Sequence, residues 1–175
     1  MKTLGYSDAS VSRVDGTSGY VWLSILTAPN RDSHKINNIV LSLLITPCSL
    51  RIYVDFGGKV LDERKKYLEL FREKNFLWEI LSQKNYSNID IFNVEWYYEI
   101  VKKEKLHDIK QIDEKIINEA INRAEKDFID HKTITWNKFL LGYIISRDKI
   151  SKESILDKTI NIAKLAKIIE YKINR

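Results

Sequence analysis

An α/β fold, with helices packed on a mixed β-sheet and a helical extension at the C-terminus, is predicted from three observations. Segments rich in β-branched and aromatic residues are interspersed along the chain with segments whose apolar residues recur every three to four positions. The 175 residues are 44% hydrophobic and 30% charged, with 6 Gly and 2 Pro, the composition of a folding chain dense in regular elements. That length suits one well-buried domain plus an appendage and excludes a large multidomain enzyme.

Residues 3–8 and 19–27 are rich in Tyr, Val, Trp, Ile, Leu and Thr, and the Gly/Ser/Asp stretch over 12–18 between them predicts a β-hairpin. Asp8 ends its first strand. From Ser33 to Ile45, residues Ile36, Ile39, Val40, Leu43 and Leu44 keep spacings of three and four, which predicts a helix capped by Asp32 or Ser33 and ended by Pro47. Leu50 to Asp55 is a β-branched and aromatic strand, broken by Phe56-Gly57-Gly58, so a second strand also terminates in an aspartate. Leu61 to Gln83 keeps a helical beat that Asn75 divides. Ile89 to Trp96 predicts a strand, and Val101 to Asp113 a charged loop that carries His107. Ile112 to Ile129 predicts a helix, with two more over Trp136–Ile145 and from a Ser151 cap to Ile173. Trp22, Trp78 and Trp96 are read as core residues.

The formal charge of +5 is unevenly placed. Residues 131–175 hold 10 Lys/Arg against 4 Asp/Glu, a net of +6, while residues 1–130 hold 19 against 20, a net of −1. The domain reading is therefore a neutral body over 1–130 and a basic helical extension over 131–175. Such a segment either presents a solvated lysine-rich face or neutralises phosphates, since counterion release needs positive charge and no sequence code. Lys138, Arg147 and Lys164 are its candidate nucleic-acid contacts, with Lys35, Lys102 and Lys103 in the body. The longest apolar run, Ile39 to Ile45, is far short of the roughly 20 residues that span a bilayer, and Met1-Lys2-Thr3 opens no signal peptide. A cytoplasmic, non-membrane protein is expected. Cys48, the single cysteine, permits neither an internal disulfide nor a thiolate zinc site and is expected to be a buried small hydrophobe. Phosphate-cradling glycine loops, metalloprotease helices and nucleophile elbows are missing from the sequence.

Two aspartates at strand ends matter because neighbouring strands bring carboxylates together, and a close pair is costly unless protonated or neutralised by a cation such as Mg²⁺. Tyr6-Ser7-Asp8-Ala9-Ser10, then Gly16 and Gly19-Tyr20-Val21-Trp22, a helix, and Ile52-Tyr53-Val54-Asp55 resemble, in order and spacing, the opening of a ribonuclease H domain of the reverse-transcriptase-associated type. Phe92 to Trp96 resembles that family's last core strand, and Asn118 to Ala124 its closing helix, so the likeness covers residues 3–128. It implies a ribonuclease H-like sheet in which Asp8 and Asp55 meet at adjoining strand tips, hold Mg²⁺ and cut RNA in an RNA/DNA hybrid. It also implies that His107 assists in the intervening loop.

Two family acids are replaced. Lys35, or in an adjacent register His34, stands where the family has Glu, which sets a cation in place of a metal ligand. Asn122 stands where it has the last Asp, and an amide oxygen adds no negative charge. Asp32, Asp113 and Glu119 are candidate substitutes. The functional expectation is thus a ribonuclease H-like nucleic-acid-binding protein: a divergent Mg²⁺-dependent nuclease with Asp8, Asp55, Asn122 and His107 in its site, or a degenerate one that binds hybrid or duplex without cutting. The alternative is an inactive scaffold that binds a protein partner, or a second copy of itself, through the C-terminal helices.

Overall fold

The computed structural model describes residues 6–15, 20–27, 39–56, 61–86, 88–95, 109–132 and 136–174, with the backbone alone given for 6–15, 20–27, 39–40, 93–95 and 136–138. They form a mixed α/β structure of strands and helices. Two compact units divide the chain, residues Met1–Gly57 with Gly142–Arg175, and Gly58–Leu141. Segment 131–175, read from sequence as a separate extension, is split between them.

In the first unit, β1 (Tyr6–Asp15), β2 (Tyr20–Thr27), β3 (Ile39–Ile45) and β4 (Ser49–Phe56) run as an antiparallel meander. β1 departs from regular register between Tyr6 and Asp8 and between Val11 and Arg13. The β3–β4 turn is fixed by Thr46, whose N–H donates to the Ser49 carbonyl at 2.8 Å and whose hydroxyl accepts from the Ser49 N–H at 2.9 Å. Pro47 and Cys48 form its tip. The cysteine is therefore exposed, contrary to the expectation of a buried thiol.

The latter part of β6 (Trp136–Ser146) continues this sheet antiparallel to β4, with Ser49 opposite Ser146 and Tyr53 opposite Gly142. A helix, α4 (Lys152–Ile173), then packs on β3 and β4. Ser151 caps it as the sequence predicts, its hydroxyl accepting from the Ser154 N–H at 3.1 Å. Lys158 of α4 sits 4.8 Å from the ring centre of Tyr143, which pairs with Ile52, so α4 lies on the face that carries Leu50, Ile52 and Val54. Thr159, Ile162, Ala163, Ala166, Ile169 and Ile173 are buried along the helix.

Two predicted helices are strands. The residues of β3, assigned to a helix from Ser33, show both three-to-four spacing and alternation, because Val40, Ser42 and Leu44 share one face while Leu41, Leu43 and Ile45 share the other. Spacing arguments fail on such runs: a strand apolar on both faces has no clear period and is confused with a helix. The predicted helix over Trp136–Ile145 is β6 for the same reason, its Phe139, Leu140, Leu141, Tyr143 and Ile145 all being buried. Residues 31–38, where that first helix would start, lie outside the described residues.

The second unit holds α1 (Leu61–Glu69), α2 (Lys74–Leu81), β5 (Asp90–Glu95), α3 (Glu114–His131) and the start of β6. The break between α1 and α2 falls at 70–73, just before Asn75. Asp113 caps α3 by accepting from the Ile116 N–H at 2.8 Å, and Lys132, at φ 55°, ends it in the left-handed conformation. Ile117, Ala120, Ile121 and Ala124 turn inward along α3, which packs against α1. Arg72, just after α1, joins the Glu114 carboxylate at 3.2 Å, and Lys65 pairs with Glu125. Tyr67 meets Phe71 edge-on at 5.4 Å, Phe71 lies 5.0 Å from Phe139, and the Tyr67 hydroxyl donates to the Phe139 carbonyl. Phe139 has φ 59°, a conformation costly for an aromatic residue and held here by that packing.

No helix among the described residues is long and apolar enough to cross a membrane.

Gly142 permits β6 and β4 their observed approach. A Cβ there would stand 2.4 Å from the Tyr53 Cβ and 2.5 Å from the Ile52 carbonyl oxygen, so the strands would have to part. Gly142→Ala is expected to destabilise the chain by about 1–3 kcal/mol, the usual cost of overpacking. Urea denaturation checks it, and an unshifted midpoint at constant m would refute the close approach.

Candidate functional site

Side chains alternate across a strand, so Arg51, Tyr53 and Asp55 share one face of β4, opposite Ile52, Val54 and Phe56. Every residue of β4 is buried. Asp55 is 1% exposed, Tyr53 fully buried, and Arg51 3% exposed. Ser42 of β3 pairs with Tyr53 and is fully buried too.

The Asp55 carboxylate is engaged on both oxygens. Oδ1 accepts the Phe56 N–H at 2.7 Å, and Oδ2 accepts a longer bond from the Ser42 hydroxyl at 3.3 Å. Burial pushes the Tyr53 phenol well above its ordinary value, the Asp55 charge adds to that rise, and Arg51 and the Ser42 hydrogen bond act against it. This row of Ser42, Arg51, Tyr53 and Asp55 is a buried polar seam inside the sheet. Its sequence signal is the polar alternation within Arg51-Ile52-Tyr53-Val54-Asp55, which reads as an ordinary strand until both faces are known to be covered.

Asp8 lies on β1 and pairs with Leu26, while Asp55 pairs with Val40. Leu26 and Val40 each follow or precede the paired Ile25 and Leu41 by one position, so the two acids stand in the same row across the sheet. They do not stand on neighbouring strands. β2 and β3 intervene, which puts three inter-strand spacings, roughly 14 Å, between their backbones. The expected convergence at adjoining strand tips is therefore corrected: the segment assigned to a helix supplies β3 and holds the two strands apart. Asp55, buried and bonded on both oxygens, and Asp8, three strands away, do not fit a shared Mg²⁺ site.

The other anticipated residues are dispersed. Asn122 and Glu119 are exposed on α3, and the Asp113 carboxylate is committed to capping that helix. Lys35, His34, Asp32, Lys102, Lys103 and His107 lie outside the described residues, as does the side chain of Lys138. Among the described residues, no three His, Cys, Asp or Glu side chains are grouped to hold a metal ion.

The corner between β6 and α4 does assemble exposed charge. Arg147, Lys149 and Lys152 fall within six residues, all exposed, and Lys164 is exposed further along α4. The Arg147 N–H donates to the Cys48 carbonyl at 3.0 Å, tying this corner to the β3–β4 turn. Asp148 lies within the group, and a hydrogen bond from Ser146, aided by the neighbouring Lys149 charge, holds its carboxyl below the usual range. Lys167 is paired with Glu170 at 2.9 Å.

Trp78 is 51% exposed on α2 and not the core residue its size suggested. Of the other two, Trp96 and the side chain of Trp22 lie outside the described residues.

Comparison with protein-family models and with curated proteins finds no match to this chain.

The Tyr53 phenol gives a test of the seam. A folded-state pKa raised above the unfolded value contributes stability in full below pH about 10, and that contribution falls away as pH rises past the unfolded value. The unaltered chain is expected to lose stability above pH 10 more steeply than Tyr53→Phe, measured by urea denaturation across pH 8–11. Parallel losses in the two proteins would show that the phenol is not buried in the folded state.

Proposed function

We propose that the chain binds the phosphate backbone of nucleic acid and does not cut it. The charge distribution carries this proposal: residues 131–175 hold a net +6 on a near-neutral body, and Arg147, Lys149, Lys152 and Lys164 present that charge to solvent. Phosphate neutralisation needs no more than such a surface, and it yields affinity that falls with salt. Binding without cleavage is favoured over Mg²⁺-dependent hydrolysis because Asp8 and Asp55 occupy strands separated by two others. It is favoured also because Asn122, in place of an acid, adds no negative charge. Kinship with ribonuclease H domains stays part of the proposal on the strength of the residues around Asp8 and Asp55.

A second reading, a surface for a protein partner, draws on two large apolar residues exposed on α4, Leu156 at 52% and Tyr171 at 60%.

Fluorescence anisotropy with a labelled RNA/DNA hybrid and a DNA duplex, titrated across salt, tests the proposal. Affinity is expected to fall steeply with salt for both. Replacing Arg147, Lys149 and Lys152 together by Ala should lower the slope of log affinity against log salt by about one for each phosphate no longer neutralised. Salt-independent binding would refute it. Mg²⁺-dependent cleavage of the hybrid that disappears in Asp8→Asn would replace it with a divergent nuclease.

A further inference from the structure

Trp78 lies on the outer side of α2, which buries Leu77 and Ile80 and half-buries Phe76 and Leu81, so the helix completes its core-facing stripe without the indole. The Lys110 ammonium stands 5.0 Å from the indole ring centre. It comes from a short 3-10 turn over Ile109–Gln111 that packs on α2 and is anchored by buried Ile109. On α2 itself, the positions three and four residues from Trp78 are Lys74, Asn75, Leu81 and Ser82. None is acidic, and Lys74 is exposed one turn away. The indole thus carries the Lys110 ammonium against it, is half open to solvent, and has the exposed Lys74 position four residues before it on the same helix.

From this arrangement we propose that Trp78 and Lys110 form a stacking site for a base of single-stranded nucleic acid, with Lys110 and Lys74 neutralising the adjoining phosphates. It rests on the nucleic-acid reading above and assigns it a strand class and a second binding surface. The indole offers a π face that any base can use, so recognition here is tolerant of sequence, and the cations supply the complementary charge. A protein side chain seated on the same ring would show no preference for a single strand.

Anisotropy with a labelled single-stranded oligodeoxythymidine, using the full chain, separates the cases. Trp78→Ala is expected to weaken single-strand binding about tenfold, with Trp78→Phe retaining most of it. Lys110→Ala should lower the salt slope by about one. Indole fluorescence should be quenched on adding the oligonucleotide to the unaltered chain and much less so in Trp78→Phe, a response that a purely structural tryptophan would not give. Unchanged affinity in Trp78→Ala, alongside weakened binding in the Arg147/Lys149/Lys152 triple variant, overturns the stacking site and leaves the phosphate-binding reading standing. No binding of any strand by the unaltered chain overturns both.

Discussion

β4 is covered on both faces, and that condition governs the first unit. One face is apolar and lies under α4, while the other carries Arg51, Tyr53 and Asp55 into the interior. A buried carboxylate is tolerated where its oxygens accept hydrogen bonds, and Asp55 receives them from Phe56 and Ser42. Such a seam also opposes register slips, since moving β4 by one residue against β3 would turn Asp55 toward the apolar face. Gly142 belongs to the same constraint, because β6 lies close enough to β4 that a side chain at that position would meet Tyr53.

Elements bounded by punctuation were legible in the sequence. α4 follows its cap residue, Ser151, and α3 and α4 have one apolar stripe each, although the Asp113 cap that sets the start of α3 was not read from the sequence. The hairpin of β1 and β2 is bracketed by Gly16 and Gly19, and β4 follows a turn rich in Thr, Pro and Ser. β3 and β6 were not legible, since strands apolar on both faces lose the two-residue period that separates strand from helix. Gly142 was the overlooked signal in β6: a glycine in mid-helix costs about 1 kcal/mol relative to alanine, whereas in a strand it marks close approach of another backbone.

The site was legible to the same limited degree. Asp55 stands near the end of β4 as expected, but Asp8 is the third residue of β1, which runs on to Asp15, so the two acids share a row of a common sheet without both closing their strands. Lateral neighbourhood was not legible. It depends on which segments become strands and in what order they pair: with Ile39–Ile45 as β3, the meander runs through both β2 and β3 before reaching β4, and the acids stand three spacings apart instead of one. The exposed side of Trp78 was likewise beyond local patterning, since an aromatic residue beside a helical stripe is core or surface according to what packs against it.

These placements separate stability from recognition. The buried Asp55 carboxylate is held by hydrogen bonds within the sheet, where moving either partner would leave a desolvated group behind, so it favours a rigid interior over a reactive one. Groups able to meet a ligand without that penalty are those already in water: Arg147, Lys149 and Lys152 at the β6–α4 corner, and the Trp78–Lys110 pair. A polyanion needs no pocket to engage such groups, because each neutralised phosphate releases counterions and each base can lie flat on an indole. Affinity built that way accumulates over several weak, exposed interactions, and for that reason it does not require the deep, converged carboxylates that hydrolysis would.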